Sequence, residues 1–352
     1  MTKSNKIYHF LDDYSEGCHP YILELMSQAN LDQQTAYGQD TYSEQARQCI
    51  RQQLRETNAP IFFISGGTLS NLIIIASALK SHEAIIAAES GHISQHETGA
   101  IEATGHKIIT VPTSDGKLTS TSIETALAEN SHFPHMAKPR LVYISNATEL
   151  GTVYTKAELT ALAKTCQTHH LLLMLDGARL SAALTSQLND LTLNDIFQLT
   201  DFFWIGGTKA GAFLGEAIVI PNQQLSEDFE FHIKQRGALL AKGRLLGLQF
   251  LGLFQNELYF ELALNANKLA KKLSSGIENA GFPLVIDTQS NQVFPVLPIA
   301  TINKLQQYFS FHIWQNIDQD HCSIRLVTSW ATKEQHVHAF LEKLNLLKTH
   351  SS

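Results

Sequence analysis

Phe202-Phe203-Trp204-Ile205-Gly206-Gly207-Thr208-Lys209-Ala210-Gly211-Ala212 places a lysine just beyond an apolar run, inside a tight series of glycine, threonine and alanine. An apolar run of this length ending in glycines reads as a buried strand that stops at a ligand-facing loop. A lysine desolvated there has a lowered pKa, so its amine can attack a carbonyl and form a Schiff base. The alternative, a solvated loop lysine, fits poorly with flanks so small and apolar.

Two further stretches have the same form. Leu171-Leu172-Leu173-Met174-Leu175-Asp176-Gly177-Ala178-Arg179 ends an apolar run on a carboxylate. A carboxylate at a buried strand end is costly unless it meets a cation, which is either a bound ligand or Arg179 in an internal ion pair. Ser65-Gly66-Gly67-Thr68-Leu69-Ser70-Asn71 follows the run Ile61-Phe62-Phe63-Ile64 and opens a helix expected over 68–79. Gly66, Gly67 and Thr68 offer close backbone approach, free N–H groups and a hydroxyl, which suit a phosphate. The other reading is an ordinary helix start capped by Thr68. The stretch is neither a Walker loop nor a dinucleotide fingerprint.

Around these three lie more apolar runs, at 84–87, 107–111 and 140–144, separated by helical stretches expected at 93–103 and 156–168. Continuous apolar runs divided by helices indicate an α/β fold with a mixed, mostly parallel sheet covered on both faces. Beyond about residue 225 the character changes. Residues 226–279 read as mostly helical. Strands are expected at 283–286, 293–297 and 324–327, and helices at 302–309 and 333–347. The expected division is a large cofactor-binding domain over 1–250, including the N-terminal segment, and a small C-terminal α+β domain over 251–352.

Composition narrows the function classes. The 352 residues are 44% hydrophobic and 17% charged, enough for a large core and far from a disordered chain. The formal charge of −7 leaves no cationic excess to neutralise phosphates along a duplex, so nucleic-acid binding is not expected. Cys18, Cys49, Cys166 and Cys322 lie far apart, which argues against a disulfide framework or zinc site. The 16 histidines form no HExxH or similar set, so no metal is expected. No apolar stretch approaches the ~20 residues that span a bilayer, and no secretory signal is visible. A cytoplasmic protein with no membrane partner is expected.

A phosphate-binding helix start, a carboxylate for a pyridinium nitrogen and a lysine for an aldehyde together form the inventory for pyridoxal 5′-phosphate. Their order resembles the fold-type I pyridoxal-phosphate enzymes, and more specifically the threonine aldolase and β-eliminating lyase family. The resemblance runs from about Phe10 to Leu347. It rests chiefly on Asp176-Gly177-Ala178-Arg179-Leu180 and Gly207-Thr208-Lys209-Ala210-Gly211-Ala212. Tyr37-Gly38-Gln39-Asp40, Glu89-Ser90-Gly91-His92-Ile93 and Arg325-Leu326-Val327-Thr328-Ser329-Trp330 add to it.

The resemblance implies that Lys209 carries the cofactor aldehyde, Asp176 keeps the pyridine nitrogen protonated and His92 stacks on the ring. It implies phosphate contacts from Gly66, Gly67 and Thr68, with Thr208 a further one, and a substrate carboxylate held by Arg179 and Arg325. Family members build each active site from two subunits, so a homodimer or homotetramer is implied, with Tyr37 and Arg244 reaching a neighbour's cofactor. The implied reaction cleaves the Cα–Cβ bond of a β-hydroxy-α-amino acid to glycine and an aldehyde. β-Elimination from another amino acid is the alternative, and a non-catalytic cofactor-binding protein a remoter one. One position departs from the pattern. Threonine aldolases typically carry Asn-Thr-His-Asn, where this chain has Asn146-Ala147-Thr148-Glu149, so Thr148 stands at the histidine position and the base near the β-hydroxyl changes. His92 or a water is then the candidate base, or the substrate differs from threonine.

Overall fold

The computed structural model describes residues 7–349. Seven strands form the main sheet: β1 (Ile61–Ile64), β2 (Glu83–Ala88), β3 (Lys107–Val111), β4 (Lys138–Ser145), β5 (Leu172–Asp176), β6 (Phe202–Gly206) and β7 (Glu216–Val219). Their spatial order is β1-β7-β6-β5-β4-β2-β3. All neighbouring pairs are parallel except those of β7, which runs antiparallel to both β1 and β6.

Side-chain alternation sorts each strand between two cores. Ile86, Val142, Ile144, Leu173, Leu175, Phe203 and Ile205 enter one apolar cluster. Ile85, Leu141, Tyr143, Met174, Phe202 and Trp204 enter the other, beneath the helix Gly67–Ala78. This period of two places Asp176, one step beyond Leu175, on the side of Tyr143 and Trp204.

Several sequence expectations change in the structure. The helix expected over 93–103 reduces to a turn, His92–Gln95, and a 3-10 turn, Glu102–Thr104. Thr98 and Gly99 between them both have positive φ, which a continuing α-helix excludes. Residues 283–286 form no strand and contribute an isolated bridge, Leu284 to Pro295. The helix expected over 302–309 is Ile299–Leu305, and Phe309–Ser310 is instead a short strand. Strands β7 and His312–Asn316, and helices Pro20–Gln28 and Thr41–Leu54, were not anticipated.

In the C-terminal region, His321–Val327 pairs antiparallel with Val296–Pro298, His312–Asn316 and Gln292–Val293. The residue-250 boundary falls inside the helix Arg244–Phe254, whose Phe250, Leu251, Leu253 and Phe254 pack in the first core. The change of core occurs along the next helix, Leu258–Asn279. Tyr259 and Leu262 belong to the first cluster, whereas Leu269, Ala270, Leu273 and Ile277 belong to a third with the C-terminal strands. The N-terminal segment also joins that third core. Tyr8–His9 pairs with Phe309–Ser310, and Phe10 is fully buried there. From Phe10 the chain crosses toward the main sheet. Among the described residues no helix is long and apolar enough to span a membrane, and no cluster of His, Cys, Asp and Glu is arranged to hold a metal.

Candidate active site

The carboxyl ends of β1, β5 and β6 meet at a cavity of about 320 Å³. It is lined by Gly66, Gly67, Thr68, His92, Asp176, Thr208 and Lys209, seven of the residues singled out in the sequence. Glycine brings these strand ends close. A Cβ on Gly177 would collide with the Trp204 carbonyl oxygen, and one on Gly67 would sit 2.9 Å from the Trp204 ring.

Gly66 caps the helix Gly67–Ala78 and has no side chain to occupy the first N–H groups. Thr68 lies inside the helix, so it is not the cap. The cradle is therefore an open helix N-terminus, whose partial positive charge suits an anion.

Asp176 is 2% exposed and accepts three hydrogen bonds. Tyr143 Oη donates to Oδ2 at 2.5 Å, Asn71 Nδ2 to the same oxygen at 3.0 Å and the Ala178 N–H to Oδ1 at 2.9 Å. Burial nevertheless pushes its pKa up, with His92 and these donors opposing. No arginine pairs with it; the internal Asp176–Arg179 ion pair left open by the sequence does not form, because Arg179 binds elsewhere. A cation brought to Asp176 would offset the cost of its burial.

Asn71 is fully buried. It also donates to Glu97 Oε1 at 2.8 Å and accepts from Trp204 Nε1 at 2.9 Å. His92 Nδ1 meets the same Glu97 oxygen at 2.8 Å. With Nδ1–H donating to that carboxylate, the neutral ring carries its lone pair on Nε2. Burial lowers the His92 pKa, but the Glu97 hydrogen bond and the charges of Glu149 and Asp176 outweigh it, and the net shift is upward.

Lys209 is half-buried on the 3-10 turn Thr208–Ala210, with its Nζ 5.9 Å from the centre of the Tyr14 ring. Desolvation and the Arg179 charge hold its ammonium below the usual lysine range, against Asp13, Glu149 and Asp176. A neutral amine is thus accessible nearer neutral pH than in a solvated lysine.

Arg179 is 5% exposed and forked onto Asp13, with Nε to Oδ2 at 2.8 Å and Nη2 to Oδ1 at 3.1 Å. Asn291 Nδ2 donates to the same Asp13 at 2.9 Å. Arg325, by contrast, keeps its Nε buried without a partner, and its Nη2 reaches only the Leu11 carbonyl at 3.5 Å. Its guanidinium lies over Trp314, and it shares the field of Arg179, Glu149, Asp13 and Tyr14. Thr148 is buried and bonded to Thr152 Oγ1 at 2.7 Å, and it does not line the cavity. Tyr37 and Arg244 do not line it either. Tyr37 is exposed beside Lys234, and Arg244 donates to the carbonyls of Asn30 and Asp32.

Sequence reasoning missed Asn71, Glu97, Tyr143, Asp13, Asn291 and Glu216. Asn71 and Tyr143 were visible as polar groups at otherwise apolar positions of a helix and a strand. The others become meaningful only through long-range contacts.

A family model described as beta-eliminating lyase matches residues 11–345. The low specificity L-threonine aldolases of Pseudomonas aeruginosa and of Pseudomonas sp. (strain NCIMB 10558) are 33% and 36% identical to this chain. The alignments cover 96% and 93% of it, and the same shares of their own lengths. The solved structure of Leishmania major threonine aldolase is similar at a TM-score of 0.95 and 50% identity, over 97% of this chain and 99% of that one. Thermus thermophilus aspartate aminotransferase, at 14% identity and a TM-score of 0.72 over 97% and 91%, shares the fold-type I architecture. On the full-length match and the shared fold, the chain belongs to the threonine aldolase and β-eliminating lyase family and is a lyase.

Proposed function

We propose that this lyase uses pyridoxal 5′-phosphate to cleave the Cα–Cβ bond of a β-hydroxy-α-amino acid such as threonine or allo-threonine, giving glycine and an aldehyde. The observation that carries this reading is the single cavity shared by a desolvated lysine, a buried carboxylate without a cation and an uncapped helix N-terminus. Each fits one part of that cofactor. Bound there, it supplies an aldehyde for an amine and a pyridinium ring that delocalises charge from Cα.

The chain's own residues supply the rest. Lys209 Nζ is the amine that would hold the cofactor through its aldehyde. Asp176 holds a proton on the ring nitrogen, and Tyr143 and Asn71 hold Asp176. Gly66, Gly67, Thr68 and Thr208 surround the phosphate. His92 forms one wall, and its Nε2 accepts a proton from the β-hydroxyl, directly or through a water. Arg325, with its free Nε, takes the substrate carboxylate. Arg179, locked to Asp13, contributes positive field beside it rather than the open fork the sequence suggested.

Tyr37 and Arg244 lie off their own chain's cavity, in keeping with a homo-oligomer in which they approach a neighbour's site. Light scattering tests that. The four free cysteines are in keeping with a reducing cytoplasm. The reaction itself is tested by supplying the cofactor, offering β-hydroxy and β-substituted amino acids and identifying the products. Glycine with an aldehyde supports the proposal, whereas ammonia with a keto acid would replace it by β-elimination. Borohydride reduction should fix the cofactor on Lys209, and a label mapped to another lysine refutes that role.

A further inference from the structure

Glu216 opens β7 opposite Gly206 of β6 and Ile64 of β1, and it lines the cavity beside Thr208. It is 4% exposed and has no ion-pair partner among the described residues. Its Oε2 accepts from the Gly207 N–H at 3.0 Å, and its Oε1 meets Thr208 Oγ1 at 2.9 Å. Thr208 Oγ1 in turn accepts from the Gly215 N–H at 3.1 Å. A hydroxyl has one hydrogen and two lone pairs. While Glu216 is ionised, the Thr208 hydrogen is committed to Oε1, and the hydroxyl has none to offer an anion in the cradle. A buried carboxylate without a cation would also repel that anion.

We propose that phosphate binding in the cradle requires Glu216 to be protonated, so that wherever its carboxyl is ionised it takes up a proton as the phosphate enters and releases the Thr208 hydroxyl to donate to that phosphate. The proton comes from solvent and settles on Oε1. The 2.9 Å contact then reverses, with Oε1–H donating to Thr208 Oγ1, while Oε2 goes on accepting from Gly207. Thr208 Oγ1 now accepts from both Glu216 and Gly215, and its hydrogen is free to rotate toward the phosphate.

The surrounding groups agree with this assignment. Burial pushes the Glu216 pKa up to about 8, with Thr208, Gly207 and Lys209 opposing and Asp176 reinforcing it. Tyr259, from the helix Leu258–Asn279, also faces it and stays neutral, its phenol raised by burial and by Glu216 itself. The inference rests on the phosphate reading of the cradle.

Calorimetric titration of the cofactor-free protein with pyridoxine 5′-phosphate tests it, because that probe lacks the aldehyde that engages Lys209. Run in buffers of different ionisation enthalpy, the titration counts protons taken up. At pH 9 the wild type should take up about 0.9 proton more than Glu216→Gln, whose neutral amide imitates the protonated acid. From pH 7 to pH 9 the wild-type affinity should fall about tenfold further than that of Glu216→Gln, since Lys209 titrates in both. A pH indicator repeats the wild-type count with inorganic phosphate, which brings no ring nitrogen to Asp176, and so reads the uptake independently of whether the variant folds. Binding without proton uptake in the wild type, or with equal uptake in both proteins, overturns the inference and leaves the phosphate reading standing. No binding by either protein overturns the phosphate reading, and the inference falls with it.

Discussion

Asp13→Asn should unbalance a charge network that joins the N-terminal segment to the site. Asp13 is 1% exposed, Arg179 is 5% exposed, and their bidentate contact runs at 2.8 and 3.1 Å. Removing one charge leaves the Arg179 guanidinium buried and poorly compensated, which costs about 3–5 kcal/mol for such pairs. With a urea m-value of about 3 kcal/mol/M, the unfolding midpoint should fall by about 1 to 1.7 M. Asp13→Asn combined with Arg179→Met should recover most of that loss, because no unpaired charge remains. The acid limb adds a second measurement. Burial raises the Asp13 pKa, but Arg179, Lys209 and the hydrogen bonds outweigh it and hold the carboxyl below its usual range. Its stabilisation is therefore complete above the unfolded value of about 3.9 and is lost as pH falls through the lower folded value. Asp13→Asn should remove that part of the acid transition. A midpoint shift under about 0.3 M, or a double variant as unstable as the sum of the singles, would refute the account of an uncompensated buried charge.

Three further outcomes follow from the site. Asp176→Asn should keep the fold and lower turnover by orders of magnitude, because a neutral amide no longer favours a protonated ring nitrogen; near wild-type rates on the true substrate would remove that role. If His92 Nε2 is the base, kcat should rise with pH through a pKa above the ordinary 6.5, and His92→Asn should abolish that limb and cost about 10²–10⁴-fold. A limb that persists in the variant assigns it to another group. Arg325→Lys should raise KM for the amino acid well beyond its effect on kcat, since an ammonium cannot reproduce the guanidinium fork, and an unchanged KM would move the carboxylate elsewhere.

Much of the main sheet was legible because both of its faces are covered. Its strands then read as continuous apolar runs, and 61–64 and 107–111 emerge with the expected limits. The strand Glu216–Val219 escaped because it opens on a charged residue and runs antiparallel after a short turn, with no helix to announce a crossover. The stretch 93–103 failed for a local reason. Its apolar spacing suits a helix, but Glu97 turns inward to His92 and Asn71, and the left-handed Thr98–Gly99 pair breaks the backbone there. A buried polar contact overrode periodicity.

The site was legible where one residue type at a strand end is costly without a ligand. Lys209 and Asp176 satisfy that condition, and the fold brings both to one cavity. It was illegible where meaning depends on a partner far along the chain. Arg179 in isolation is a free fork, and only the crossing of the N-terminal segment gives that fork to Asp13, 166 residues away. The same crossing distinguishes the two arginines that the sequence treated alike. One is neutralised by its own chain, and the other keeps a buried, unpartnered Nε. An incoming carboxylate gains most where a buried donor has no partner to give up. By that criterion Arg325 is the arginine we propose for the substrate carboxylate, with Asp13 keeping Arg179 from competing for it.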